Sequence, residues 1–152
     1  MRKKITNIPL FLLDIEDDGY HLMIEAEVND MPVWLLVDTG ASKTVFDKTR
    51  LQALMEEGAE EHYEDLEQLS TGLGTNSMQG QVAQLDSFWL GDLLIEDYPV
   101  VVLDMDHVNQ SYEMLGHPGI DGVLGSDILK KYDAVIYFKK QILKLYYDIP
   151  KV

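Results

Sequence analysis

The 152-residue sequence contains no cysteine. That removes disulfides, thiolate nucleophiles and cysteine-based zinc sites together, and it is compatible with a reducing compartment. Positive charge is scarce: 12 Lys and Arg stand against 27 Asp and Glu, a formal net charge of -15. Such a chain repels phosphate backbones and anionic membrane faces, so neither nucleic acid nor a membrane surface is an expected partner. No apolar run reaches the roughly 20 residues that a membrane-spanning helix needs. His21, His62, His107 and His117 do not fall at metal-ligand spacing. No metal or other cofactor is therefore expected. The opening "MRKKITNIPLFLLDIEDDG" begins like a secretory signal, but its apolar piece Ile8 to Leu13 is short and contains Pro9. It runs into Asp14, Glu16, Asp17 and Asp18 without a small-residue cleavage site, so it reads as a first strand of a mature, cytoplasmic protein.

What remains is a globular composition, 46% hydrophobic and 9% aromatic. The length suits one domain over residues 1–152, with a core large enough to need no staple. From Tyr20 to Val28 the side chains alternate: Leu22, Ile24, Ala26 and Val28 point one way, Met23, Glu25 and Glu27 the other. That is the period of a half-buried strand. Asn29-Asp30 supplies turn chemistry, and Val33 to Val37 resumes as a second strand. Asp47 is placed to cap a short helix whose Leu51, Leu54 and Met55 share a face, with Gly58 as its stop. The acidic run Glu56 to Glu67 reads as a solvated face. Further strands follow, broken by Gly72, Gly74 and Gly80 around a hairpin tip at Thr75-Asn76-Ser77. Val108 to Gly119 reads as loop. "IDGVLGSDILKKY" passes from a strand into a short helix capped by Ser126 or Asp127, and a closing hairpin turns near Lys139 to Gln141. The expected architecture is mostly β, a closed barrel with one or two short helices.

The chemistry concentrates in "VWLLVDTGASKTVF". Here an apolar strand delivers Asp38 onto a tight turn of Thr39, Gly40, Ala41 and Ser42. A strand-end aspartate often does no more than make a local turn through its own side chain. It acquires a catalytic use when a second carboxylate stands beside it. Two such groups about 3 Å apart cannot both ionise, so they share a proton. One then acts as base on a water and the other donates to a substrate carbonyl. Gly40 allows the backbone to turn closely, the Thr39 hydroxyl can brace the loop, and the apolar strand holds the group still. Gly72-Leu73-Gly74-Thr75 has neither the lysine nor the long following helix of a phosphate loop.

Asp38-Thr39-Gly40-Ala41-Ser42, preceded by "WLLV" and followed by "TVF", resembles the active-site signature of aspartic proteases, and the short chain resembles their single-domain, retropepsin-like branch. Two further pieces fall in the family's order. Leu73, Gly74, Thr75, Asn76, Ser77 and Met78 look like the flap that closes over a bound peptide, although Leu73 stands where pepsin-like enzymes carry a tyrosine. Val123, Leu124 and Gly125 resemble the element that threads beneath the catalytic loop. The resemblance spans Leu22 to Tyr146 and implies an aspartic endopeptidase acting on peptide or protein substrates. The sequence has no second D-[ST]-G; Asp18-Gly19 and Asp121-Gly122 lack the middle residue. One chain thus supplies one catalytic carboxylate, and the family's solution is a homodimer with Asp38 of each copy facing the other. The strand at Leu143 to Tyr147 is the candidate interface, because dimers of this branch pair their termini. The same fold without a dyad would be a peptide-binding or structural module.

Overall fold

The computed structural model describes residues 2–17, 19–55, 63–65 and 80–150. Two sheets make up the fold. In the larger, β2 (Phe11–Asp14), β3 (Tyr20–Val28) and β4 (Met31–Val37) run in order, then β9 (Gly122–Leu124), β5 (Val45–Asp47), β8 (Leu93–Leu103), β7 (Gln81–Leu90) and β6 (Glu64–Asp65). A further pairing of β3 with β7 closes six of these strands into a barrel. The smaller sheet has the order β1 (Arg2–Pro9), β11 (Ile142–Ile149), β10 (Val135–Tyr137).

The alternation read from Tyr20 to Val28 is realised. Ile24, Ala26 and Val28 of β3 and Val33, Leu35 and Val37 of β4 enter the barrel core with Phe46, Leu85, Phe88 and Leu124. Asn29 and Asp30 take φ values of 49° and 68°, and Val28 pairs with Met31 across them. This is the two-residue hairpin whose left-handed residues match the sheet twist. Asn29 does a second job: its N–H donates to the Ser87 carbonyl at 2.9 Å, and its side-chain oxygen accepts from the Ser87 N–H at 3.3 Å. The barrel is thus fastened where β3 meets β7.

Residues of the opposite parity form a second core outside the barrel. Met23, Val45, Val101, Leu103 and Val123 pack there with Ala41, Met105, Tyr112 and Ile120, and Trp34 and Leu36 flank them. The cover over this core is α2 (Asp106–Met114), in the stretch expected to be loop. Its N-cap residue, Met105, makes no side-chain bond, and the first-turn N–H of Asp106 is capped by Asp104 from one position earlier. Burial of Tyr112 and Asn109 holds it in place, with Asn109 Oδ1 accepting the Ile120 N–H at 2.7 Å.

The other two helices correct smaller expectations. Helix α1 (Lys48–Gln52) does start at Asp47, whose Oδ2 accepts the Arg50 N–H at 3.0 Å, but it ends at an Ala53 cap before Leu54 and Met55. Helix α3 (Ser126–Lys131) is capped by Gly125 without a side-chain bond. Neither Ser126 nor Asp127 caps it, because the Asp127 carboxylate is used elsewhere. The closing hairpin turns at Lys139 to Gln141, with the Gln141 N–H donating to Phe138 at 3.1 Å. Strand β11 lies centrally in its sheet, paired with β1 from Ile142 to Ile149 and with β10 from Ile142 to Lys144. It therefore offers no free edge through Leu143 to Tyr147 on the β1 side, and the edge strands of this sheet are β1 and β10. The expected flap, Leu73 to Met78, and the start of Asp18-Gly19 lie outside the described residues.

Candidate active site

Asp38 is the first residue beyond β4, half-buried at the strand end. Its backbone N–H donates to the Leu124 carbonyl at 3.0 Å, continuing the parallel register that pairs Leu35 with Gly122 and Val37 with Leu124. On its other side β9 pairs antiparallel with β5, Val123 against Val45 and Gly122 against Phe46. Val123, Leu124 and Gly125 therefore run between the strands on either side of the D-T-G-A-S loop, and all three are buried.

The loop itself is tied locally. The Gly40 N–H donates to Asp38 Oδ1 at 2.8 Å, and the Ala41 N–H to the Asp38 carbonyl at 3.2 Å. This is the side-chain turn that the plainest reading of a strand-end aspartate anticipates. It fixes the carboxylate through one oxygen. Among the described residues no hydrogen bond reaches Oδ2. Thr39 and Ser42 are exposed, and Ala41 is buried in the second core. Thr39 also borders an open groove of about 450 Å³ shared with Leu129, Ala134 and Ile136.

Beneath the loop lies a network that the sequence did not disclose. The Gly125 N–H donates to Thr44 Oγ1 at 3.1 Å, and the Thr44 hydroxyl donates to Asp127 Oδ1 at 2.8 Å. Asp127 Oδ2 accepts the Tyr98 hydroxyl at 2.8 Å, and burial together with that carboxylate pushes the Tyr98 phenol well above its usual range. The Ser126 N–H closes the network onto the Ala41 carbonyl at 2.7 Å. Gly125 is required by space: a Cβ there would stand 2.6 Å from the Lys43 carbonyl group and 2.9 Å from the Ala41 oxygen. The sequence signal was available in the Asp that follows V-L-G-S, but it was spent on a helix cap.

Above the loop, Tyr112 of α2 touches the same core as Ala41, and its hydroxyl lies 2.7 Å from His21 Nδ1. Burial raises the Tyr112 phenol, and the charge of Asp38 raises it further. Asp121 proves structural: Oδ2 accepts the Trp34 N–H at 2.8 Å and Oδ1 pairs with Arg50 at 3.5 Å. Among the described residues, Asp47, Asp104 and Asp106 bring oxygens within 4.8 Å of one another. Asp47 spends both of its oxygens on the N–H groups of Arg50 and Met105, and Asp104 caps the Asp106 N–H at 2.9 Å. This is capping chemistry. The neighbouring Asp104 charge, first of all, holds the Asp106 carboxyl above its ordinary value.

The family model for aspartyl proteases matches residues 24–128, which takes in most of β3, the Asp38 loop and β9. The chain belongs to the aspartyl protease family. No curated protein matches it in sequence. Among solved structures it is similar to a retropepsin-like aspartic protease from Rickettsia conorii, at 21% identity and a TM-score of 0.56, over 96% of this chain and 93% of that one. It is also similar to the retroviral protease-like domain of Ddi1 from Leishmania major, at 16% identity and a TM-score of 0.55, covering 82% of this chain and 87% of the other. A third is the EIAV protease complexed with the inhibitor HBY-793, at 18% identity and a TM-score of 0.52, over 78% and 93%. At these identities the likeness establishes the fold, mostly β and retropepsin-like.

Proposed function

We propose that this aspartyl protease family member is an active endopeptidase that hydrolyses peptide bonds with a water held between Asp38 of one copy and Asp38 of a second. The observation that carries the reading is the Asp38 carboxylate itself. Gly40 fixes one oxygen, no described residue occupies the other, and the loop is anchored from below through Leu124 and Gly125. A group so held needs little reorganisation to reach its reacting geometry. One carboxylate per chain makes the homodimer part of the mechanism. In the singly protonated pair, the ionised Asp38 removes a proton from the water as its oxygen attacks the peptide carbonyl, and the protonated Asp38 donates to the carbonyl oxygen. Thr39 and Gly40 shape the loop, Ala41 and Ser42 complete it, and the segment Leu73 to Met78 covers the substrate. The setting is cytoplasmic.

The test is cleavage of a peptide library by the wild-type chain and by Asp38→Asn. The substitution keeps size and the Gly40 contact but removes the ionisable group, so cleavage is expected to fall by several orders of magnitude with the fold intact. Equal cleavage by both would end the proposal. No cleavage by either, with a monomeric mass, would leave a peptide-binding module on the same fold.

A further inference from the structure

The net charge of -15 is an average over a divided molecule. Eight of the 12 Lys and Arg fall in residues 2–9 and 130–149, where Asp133 and Asp148 are the only acids. The rest of the chain carries 25 Asp and Glu against four Lys and Arg. The small sheet brings the two basic stretches together, since β1 pairs with β11 from Arg2 to Pro9 and β10 joins at Ile142 to Lys144. Alternation then sorts its side chains. Leu143, Leu145 and Tyr147 turn into the barrel core with Ile8. The register sets Ile5 opposite Tyr146, Val135 opposite Lys144 and Tyr137 opposite Ile142, on the side away from that core. Ile5, Val135 and Tyr137 are exposed, and Phe138 in the hairpin turn is 59% exposed. Lysines stand among these apolar groups: Lys140 Nζ lies 5.6 Å from the centre of the Tyr137 ring, and Lys131 Nζ 5.5 Å from that of Tyr132. Tyr132 adjoins the sheet, its carbonyl accepting the Tyr146 N–H at 2.8 Å. The two acids do not cancel this charge. Asp148 pairs with Lys3 at 3.4 Å, and Asp133 borders the groove beside Thr39.

We propose that the outer face of the small sheet docks the protein on an anionic lipid surface, with Phe138 entering the headgroup boundary while Lys140 and Lys144 meet the lipid phosphates. The complementarity is in both charge and polarity. A basic residue close to such a surface raises affinity about fivefold, and exposed aromatic rings settle at the headgroup level. At 0.1 M salt, charges more than about 10 Å from the surface are largely screened, so the acidic remainder weakens docking little and turns the basic sheet toward the lipid. A nucleic-acid strand would use the face less well. Base stacking needs an open ring, yet Lys140 lies over Tyr137, and a polyphosphate has no use for Ile5 and Val135. A second copy joined along β10 would extend this face, whereas one laid upon it would set lysine against lysine. Docking also leaves the cleft open. Ile136 alternates to the opposite side from Val135 and Tyr137, and it is Ile136 that borders the groove with Thr39. The inference does not depend on the chemistry of Asp38.

The experiment is co-sedimentation of the full chain with vesicles of phosphatidylcholine alone and of phosphatidylcholine with about a third phosphatidylserine, at low and at high salt. Wild-type protein is expected to sediment with the anionic vesicles, to leave them at high salt, and to ignore the neutral ones. Lys140→Gln with Lys144→Gln removes two charges from exposed or half-buried positions, and should weaken that binding about 25-fold. Phe138→Ser should weaken it about tenfold, the scale of one apolar side chain leaving water. Lys48→Gln, on α1, removes one charge away from the sheet and should change it little. No binding of the wild type to anionic vesicles overturns the proposal, as does equal binding to both kinds of vesicle or binding that the lysine pair leaves unchanged. Two lipid-free measurements cover the other occupants. A dimer mass that Phe138→Ser returns to that of one chain would assign the face to a second copy and overturn the lipid reading. Retention of single-stranded RNA that the lysine pair abolishes, without vesicle binding, would overturn it in favour of nucleic acid.

Discussion

The hydroxyl of Thr44 donates to the carboxylate of Asp127 at 2.8 Å across 83 residues of sequence. Thr44 is 1% exposed, and its oxygen also accepts the Gly125 N–H. One side chain thus joins the segment after Asp38 to the turn that enters α3. Buried polar groups of this kind stabilise only when every member has a partner.

Thr44→Val removes that link while keeping shape. The Gly125 N–H and one Asp127 oxygen lose their partner together, so a destabilisation of about 2–3 kcal/mol is expected, beyond the value of an average hydrogen bond. Urea unfolding of the two proteins at one pH measures it. A change under about 0.5 kcal/mol would mean that water replaces the hydroxyl and that the loop does not depend on it.

Much of this was legible because it is local. The alternation of β3, the Asn29-Asp30 turn and the Asp47 cap each depend on residues within a few positions, and all three appear as expected. Val123-Leu124-Gly125 was legible only through resemblance. Its parallel register beside β4 is a pairing 87 residues apart, which no local pattern encodes. Helix α2 was illegible for a different reason. Val108, Tyr112 and Leu115 do recur at helical spacing, but with a methionine at the cap position three apolar residues do not stand out from loop. Tyr112 and His21 were invisible for the same cause: their meeting requires α2 to lie over the second core.

Asp121 separates structural aspartate from catalytic aspartate. Asp121→Asn keeps an acceptor for the Trp34 N–H and loses the ion pair with Arg50, a pair whose side chains are 21% and 34% exposed. A loss of about 1 kcal/mol or less is expected, with cleavage retained. Asp121→Ala also orphans the Trp34 N–H and should cost about 1–3 kcal/mol. Peptide cleavage at a temperature where both variants are folded checks the assignment; a loss of activity matching that of Asp38→Asn would place Asp121 in the chemistry.

Dimerisation is read by mass. Light scattering at micromolar concentration should give twice the mass of the 17.3 kDa chain. Strand β1 covers β11 from Ile142 to Ile149, whereas β10 covers it only from Ile142 to Lys144, and the expected approach of a second copy is by the β10 side of this sheet or by its outer face, where Ile5, Val135, Tyr137 and Phe138 are exposed. Val135→Lys with Tyr137→Lys should therefore raise the concentration at which the mass doubles, and should lower cleavage in parallel. Monomer mass at all concentrations, with cleavage still present, would remove the shared dyad.

The dependence on pH follows from symmetry. Two identical carboxylates across a two-fold axis titrate as a coupled pair: attraction to the shared proton eases loss of the first, and like-charge repulsion resists loss of the second. Hydrolysis needs the singly protonated pair, so the rate should trace a bell whose two limbs belong to the pair and not to either residue. The sign of the surrounding charge sets where the upper limb falls. At -15 per chain the remaining acids oppose a second negative charge in the cleft, and the upper limb moves toward neutral pH. Salt screens that field over about 10 Å at 0.1 M, so raising ionic strength should draw the upper limb back to lower pH and leave the lower limb less affected. The measurement is a pH profile of peptide cleavage at low and at high salt. A rate still rising at pH 9 in both would show that no shared proton takes part, and Asp38 would then have to act without a partner.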